Sequence, residues 1–242
     1  MTSAVVKAWS AWAPGIEDAV AWREWAAVPT VLETSGHPDA AFLPAMLRRR
    51  CKPITRIMLT AAFDCCEGRE PSAPRTVFAS RHGSINDSIS QLEALAQRKA
   101  ISPTAFSHTV HNVQAGLFSI AAENHQASSS VSGQQDTFAS GYLEALTHLD
   151  RDPDRDVLLV AGDVPLDPMF APLVEEAAAP HAVALLLAAQ GEGTALRFAV
   201  GTPRPAPRAA WPEPVEFLRW LLSAEDRLAL GSGECGYEWQ RA

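Results

Sequence analysis

Few of the features that sort a protein quickly are present in this sequence. No stretch approaches the roughly 20 consecutive apolar residues that cross a bilayer, so a membrane span is not expected. Residues 1–12 carry one lysine and two tryptophans but no apolar core. That excludes a secretory signal peptide and makes the cytoplasm the expected compartment. Cysteine is scarce. The four that occur, Cys51, Cys65, Cys66 and Cys235, include no C-x-x-C pair, which leaves neither a redox motif nor a zinc knuckle. Adjacent Cys65 and Cys66 read as small core residues. Cations are in deficit: 20 Lys and Arg face 28 Asp and Glu, a formal net charge of −8. Such a chain does not recruit nucleic acid through its overall field. The one basic run, Arg48, Arg49, Arg50 and Lys52 with Arg56 beyond, reads as a solvated helix end. Internal repeats are absent, and so are G-x-S-x-G and a phosphate-binding glycine loop before a helix.

What remains is an ordinary globular composition. With 242 residues, 47% of them hydrophobic, the chain can bury one sizeable core. Val5 to Trp12 alternates as a strand and stops at the Pro14-Gly15 turn; Asp18 to Ala27 reads as a helix. Ile54, Ile57, Met58, Ala61, Ala62 and Cys65 recur at helical spacing and predict one buried face. A short strand at Thr76–Ala79 and an amphipathic helix at Ile85–Gln97 follow. His111 to Ala122 is an apolar helix whose Gly116 implies close backbone packing. Gln126 to Ser132, small and β-branched, reads as a buried strand, and Asp136 to Leu149 as a helix. Asp156 to Gly162 is apolar enough to be a strand covered on both faces. Ala182–Ala189 and Ala195–Val200 are two more strands, joined through Gly191–Gly193. Thr202 to Pro214 reads as a Pro-rich connector and Val215 to Leu230 as a terminal helix. Strands alternate with helices, so the expected class is α/β, a mixed sheet covered by helices.

From Ser102 to Gly162 the sequence resembles the N-terminal half of the β-ketoacyl-(acyl carrier protein) synthases, which are thiolase-fold enzymes. Ser102-Pro103 opens a loop, Asn112 and Gly116 fit the family's Asn-x-x-x-Gly, and Ser119-Ile120 continues that helix in register. Asp156-Val157-Leu158-Leu159-Val160-Ala161-Gly162 is similar to the strand after the nucleophile helix. Trp12-Ala13-Pro14-Gly15 is similar to truncated members found in aryl polyene pigment clusters, the chain length factors. The resemblance implies a truncated thiolase-like fold. Residues 1–201 would form a ketosynthase N-terminal-like domain, with a Pro-rich connector and C-terminal helix, 202–242, packed on it. Counted without gaps from Asn112, the family's nucleophilic cysteine falls on Gln135, with Ser130 or Ser132 as alternatives if the register slips. An amide cannot carry the acyl chain as a thioester. In any register, no cysteine lies between Cys66 and Cys235. The His-Gly-Thr and Asn-x-x-His-x-Gly motifs of the family's second half are also missing.

The resemblance thus implies no catalytic residues, no cofactor and no metal, but it does imply a partner. That partner is a full-length β-ketoacyl synthase, joined as a heterodimer, whose acyl tunnel this chain would shape during polyene, polyketide or fatty-acid-like elongation. The acyl carrier protein would dock mainly on the partner, because the charge here opposes an acidic protein. In the family, the strand matching Gln126–Val131 pairs across the dimer dyad. Gln126, Ser128, Ser129, Ser130 and Val131 are therefore expected at the interface, together with His108, His111 and Asn112. Other readings stay open. His108 and His111, with His125 beyond, could bind zinc, although no acidic or thiol ligand stands at a fitting spacing. Ser128, Ser129 and Ser130 with the seven histidines offer parts for a hydrolase triad. A stand-alone acyl-chain binding module is the remaining alternative.

Overall fold

The computed structural model describes residues 2–173, 179–201, 210–231 and 235–242. Most of the expected connector, residues 202–209, lies outside the described residues. The strands are β1 (Thr2–Trp12), β2 (Arg75–Ala79), β3 (Ser128–Val131), β4 (Val157–Asp163), β5 (His181–Ala188), β6 (Thr194–Gly201), β7 (Arg227–Leu230) and β8 (Gly236–Arg241). The helices are α1 (Ala19–Ala27), α2 (Ala45–Arg48), α3 (Pro53–Cys65), α4 (Ile85–Ala96), α5 (Pro103–Phe106), α6 (Val113–Ala121), α7 (Thr137–Arg151) and α8 (Glu213–Leu222). Short 3-10 turns occupy Gln134–Asp136 and Pro168–Leu173.

All eight strands join one sheet in the order β3-β2-β4-β5-β1-β6-β8-β7. β3, β2 and β4 are mutually parallel, and every pairing from β4–β5 onward is antiparallel. The mixed, helix-covered sheet expected from the sequence is therefore what forms. β4 shows why its sequence is apolar up to the closing Asp163. Val157, Leu159 and Ala161 enter the core under α1, α7 and α8, while Leu158 and Val160 enter the one under α3 and α6. Local chemistry sets several boundaries. Asp18 caps α1 by accepting from the N–H groups of Val20 and Ala21 at 2.8 and 2.9 Å. Pro53 starts α3, where its missing N–H costs nothing. α7 presses onto β2 at Gly141, where a Cβ would stand 2.8 Å from that of Ala79. The basic run ends α2 as expected. Arg49 and Arg50 are exposed, and Lys52 pairs with Asp87 at 3.1 Å.

Three expectations need correction. The terminal helix does not reach Leu230; α8 stops at Leu222, and the chain returns as β7 and β8. Residues 227–230 alternate exposed and buried, the period of a strand. Trp239 on β8 is fully buried against Phe138, Tyr142, Phe198 and Phe217. Arg241 Nη2 closes α8 by donating to the carbonyls of Trp220, Leu221 and Ser223 at 3.2, 3.1 and 2.8 Å. Carbonyls at a helix end lack the usual partner one turn on, and that of Trp220 also accepts from the Ser223 N–H at 3.0 Å. Second, the strand expected at Gln126–Ser132 is shorter and lies on the sheet edge, with Ser128 exposed and Ser129–Val131 half-buried. Third, Gly116 is exposed with nothing near the position of a Cβ, so close packing does not explain it. Among the described residues, no helix is long and apolar enough to cross a membrane.

Candidate functional site at the β3 edge and the β3–α7 turn

β3 delivers the chain into α7 through Ser132, Gly133 and the 3-10 turn. Gln134 there takes a φ of 56°, in the left-handed region that residues other than glycine seldom adopt. The Gly133 N–H donates to Thr137 Oγ1 at 2.9 Å, and the Thr137 hydroxyl donates to the Gln134 carbonyl at 2.7 Å. A Cβ on Gly133 would stand 3.0 Å from that of Ser140 and 3.1 Å from the Asp136 carbonyl, so any side chain there would force Ser140 to move. A sharp strand-to-helix turn with one strained residue is the arrangement that presents a nucleophile to a helix N-terminus. Its strained residue is Gln134, one position before the Gln135 reached by ungapped counting. Gln135 is exposed beside it. Ser130 lies back in the strand, and Ser132 donates to the Arg81 carbonyl at 3.2 Å, so neither serine sits in the turn.

Below the turn is a pocket of about 30 Å³ between Arg81, Phe138, Asp163 and His181, room for roughly one water. Asp163, at the end of β4, is its best-anchored member. It accepts from Ser80 Oγ (2.7 Å), the Arg81 N–H (2.9 Å) and the His82 N–H (3.0 Å), and Ser80 Oγ in turn accepts from the Gly83 N–H at 2.8 Å. The turn itself carries no thiol. Cys51, Cys65 and Cys66 belong to the core on the other face of the sheet from α7. Burial raises all three thiols, Cys66 to about 11 and Cys65 further. Cys235 is half-buried just before β8. A larger cleft of about 510 Å³ opens at the opposite end of the parallel strands, where Lys7 pairs with Asp156 at 2.8 Å.

At the sheet edge, the Thr76 N–H donates to Ala127 O and the Ser80 N–H to Val131 O, each at 3.1 Å. Backbone groups alternate along a strand. Residues 127, 129 and 131 therefore bond inward to β2, and Ser128 and Ser130 turn their N–H and C=O groups outward. Thr76 Oγ1 donates to Ser128 Oγ at 2.8 Å. On the α7 side, Ser129 Oγ donates to Glu144 Oε1 at 2.8 Å and lies 3.1 Å from His148 Nε2. That same Nε2 is 3.3 Å from that same Oε1. In a hydrolase triad the serine and the acid hold opposite ring nitrogens. Here all three groups meet at one nitrogen and the hydroxyl is spent on the carboxylate, which counts against a hydrolase.

The remaining sequence candidates lie one layer away. His108 is buried at the end of α5 with no partner for Nδ1, and burial lowers its pKa against an opposing pull from Asp87. His111 is exposed and comes within 3.3 Å of where a Gly83 Cβ would be. Asn112 precedes α6 without capping it through its side chain. The Gln126 N–H donates to Asn124 Oδ1 at 2.8 Å, just ahead of β3. Gln126 and Ser128–Val131 thus share one edge, while His108, His111 and Asn112 lead into α6, which packs on β2 and β3. Among the described residues, no group of three His, Cys, Asp or Glu is placed to hold a metal. Sequence reasoning passed over Asp163, Glu144 and His148. Asp163 had a signal, a lone carboxylate ending an otherwise apolar strand.

Residues 22–240 match the family model of the β-ketoacyl synthase N-terminal domain. No curated protein matches the chain. Among solved structures it is similar to a chain from the ketosynthase ApeO in complex with its chain length factor ApeC from Xenorhabdus doucetiae. The identity is 29% and the TM-score 0.87, with 100% of each chain covered. The ishigamide ketosynthase/chain length factor follows at 14% identity and TM-score 0.61, covering 82% of this chain and 67% of that one. The AntDE:AntF complex of a type II acyl-carrier protein with its ketosynthase has 14% identity and TM-score 0.64, over 85% and 70% of the two chains. At 14% these two speak for the fold alone, and the fold they share is the thiolase-like half expected from the sequence. With a match that runs through nearly all of its length, the chain belongs to the β-ketoacyl synthase family, in the form of that family's N-terminal domain.

Proposed function

We propose that this chain is a non-catalytic, chain-length-factor-like subunit that pairs with an active β-ketoacyl synthase and shapes its acyl tunnel. The observation that carries the reading is the β3–α7 turn, which has the form of a nucleophile seat and holds Gln134 and Gln135. A ketosynthase needs a thiolate there to accept the acyl group. An amide does not supply one. Likeness over the full length to a chain of a ketosynthase–chain length factor complex supports the choice of partner. The outward backbone groups of Ser128 and Ser130 would continue the sheet into that partner, with Gln126, Ser129 and Val131 flanking and His108, His111 and Asn112 nearby. On this reading residues 1–201 supply the ketosynthase-like core, and 202–242 add to it. The carrier protein reaches the complex mainly through the partner, since a net charge of −8 opposes an acidic protein. The setting is the cytoplasm and the product a polyene or related chain. A pocket of about 30 Å³ at the turn is too small for an acyl chain, which counts against a stand-alone binding module at this site.

Co-expression with a β-ketoacyl synthase of the same genome tests the proposal. A joint elution peak is expected, with elongation products only when both chains are present. Separate elution, or full elongation by the synthase alone, would sink it.

A further inference from the structure

A carboxylate from α7 lies against β3 at the place where a second copy of this chain would meet it. A bare strand edge pairs with any edge available, its own copy included, unless a device such as an inward charge prevents it. The outward groups of Ser128 and Ser130 are such an edge, and Glu144 lies under it. Its Oε1 is 2.8 Å from Ser129 Oγ, and its side chain remains 37% exposed. A two-fold axis normal to the sheet keeps each face on its own side, so residues of like parity meet. Ser129 would face Ser129 or Val131 of the other copy. The two Ser129 residues would then stand about 5 Å apart, or about 7–8 Å on the diagonal. Each brings its Glu144, so two carboxylates would come within about one Debye length at 0.1 M salt. His148 Nε2 stands 3.3 Å from Glu144 Oε1, and a neutral imidazole there leaves the two acids facing each other. Arg75 cannot help, because Asp152 Oδ2 at 3.0 Å and the His148 carbonyl at 3.2 Å already hold its guanidinium.

Resting on the function proposed above, we infer that β3 is a heterotypic edge. It takes the edge strand of a non-identical chain that brings a lysine or arginine to Glu144, and Glu144 turns a second copy away. The partner's cation would meet a carboxylate whose lone pairs are only partly used.

Sedimentation of the full chain at about 0.1 M salt, wild type against Glu144→Gln, tests the self-exclusion; glutamine keeps an oxygen for Ser129. Glu144→Gln should self-associate at least tenfold more tightly, and adding Ser130→Pro should return it to a monomer. Raising salt to about 1 M, where the Debye length falls to about 3 Å, should move the wild type toward the variant. In a second arm, Glu144→Lys should weaken pairing with the co-expressed ketosynthase at least tenfold. Equal self-association of wild type and Glu144→Gln, or a wild-type dimer at low salt, overturns the inference. So does unchanged ketosynthase pairing by Glu144→Lys. If these fail while the wild type still co-purifies with the ketosynthase, the proposed function stands without the inference. If the wild type does not co-purify, the proposed function falls, and a Glu144→Gln dimer that Ser130→Pro abolishes would still establish the self-exclusion.

Discussion

Ser130→Pro separates what β3 does for its own fold from what it does for a partner. The inward bonds at Ala127 and Val131 fix the phase of the strand and leave the Ser130 N–H pointing away from β2. Proline there deletes a donor that the sheet does not use, and edge strands accept proline at such positions. The isolated chain should lose no more than about 1 kcal/mol, the span of strand propensities. For a chain of this size that is roughly 2–4 °C in Tm. In the complex the same change leaves a partner carbonyl buried without its donor, a cost of about 1–3 kcal/mol. The ring also intrudes between strands that approach to about 4.8 Å. At 1.4 kcal/mol per tenfold, the carbonyl alone gives about 5- to 150-fold weaker binding. Titration against immobilised ketosynthase, with thermal melting of the isolated variant beside it, reads both quantities. Unchanged affinity in a folded variant would remove β3 from the interface. A fall in Tm of more than about 5 °C would show that residue 130 bonds inward and that the phase is wrong. Arginine at Ser129 is a poorer probe, because Glu144 Oε1, 2.8 Å from Ser129 Oγ, would accept its guanidinium.

Incubated with acyl-carrier thioesters and weighed intact, the chain should show no acyl adduct on residues 126–137; an adduct mapped there would refute the amide assignment. Gln134→Ala and Gln135→Ala should each lower product formation by the assembled complex less than tenfold, whereas a hundredfold loss, about 2.7 kcal/mol in the barrier, would mean that one of them takes part in the chemistry. Trp239→Ala removes a fully buried ring from the aromatic cluster and should cost about 3–5 kcal/mol in urea unfolding. A cost below about 1 kcal/mol would place β8 outside the core.

The parts of the fold that were legible share one property, a local pattern that needs no distant partner to be read. β4 is apolar because both of its faces are covered, α3 repeats its buried residues at helical spacing, and Asp18 announces the start of α1. The C-terminus was harder. Phe217, Leu218, Leu221 and Leu222 are helical in spacing, and Leu228 extends the impression. Residues 223–226 break it, and the alternation Arg227-Leu228-Ala229-Leu230 is too short to overrule three leucines and a phenylalanine. β8 declares itself only through Trp239, whose partners lie on β6, α7 and α8. At β3 the difficulty was chemical. Three serines and a valine fit a crowded interior and a free edge equally well, so composition could not decide between them. At the β3–α7 turn Gln134 and Gln135 are the same side chain, and only the backbone angle at Gln134 tells them apart.

The turn also has a structural role along α7. Thr137, Gly141, Glu144 and His148 lie at spacings of four, three and four, one stripe along α7. Thr137 clamps the Gln134 carbonyl and the Gly133 N–H, Gly141 lets the helix touch Ala79 of β2, and Glu144 and His148 hold Ser129. The turn therefore fixes where α7 begins, and the stripe carries that position to the sheet edge. Loosening the clamp at Thr137 would shift Glu144 relative to Ser129 before it disturbed any distant contact. In an active synthase the start of such a helix stabilises a thiolate. Here the same start sets the alignment between an edge strand and the carboxylate beneath it, which is what the proposed pairing subunit has to keep.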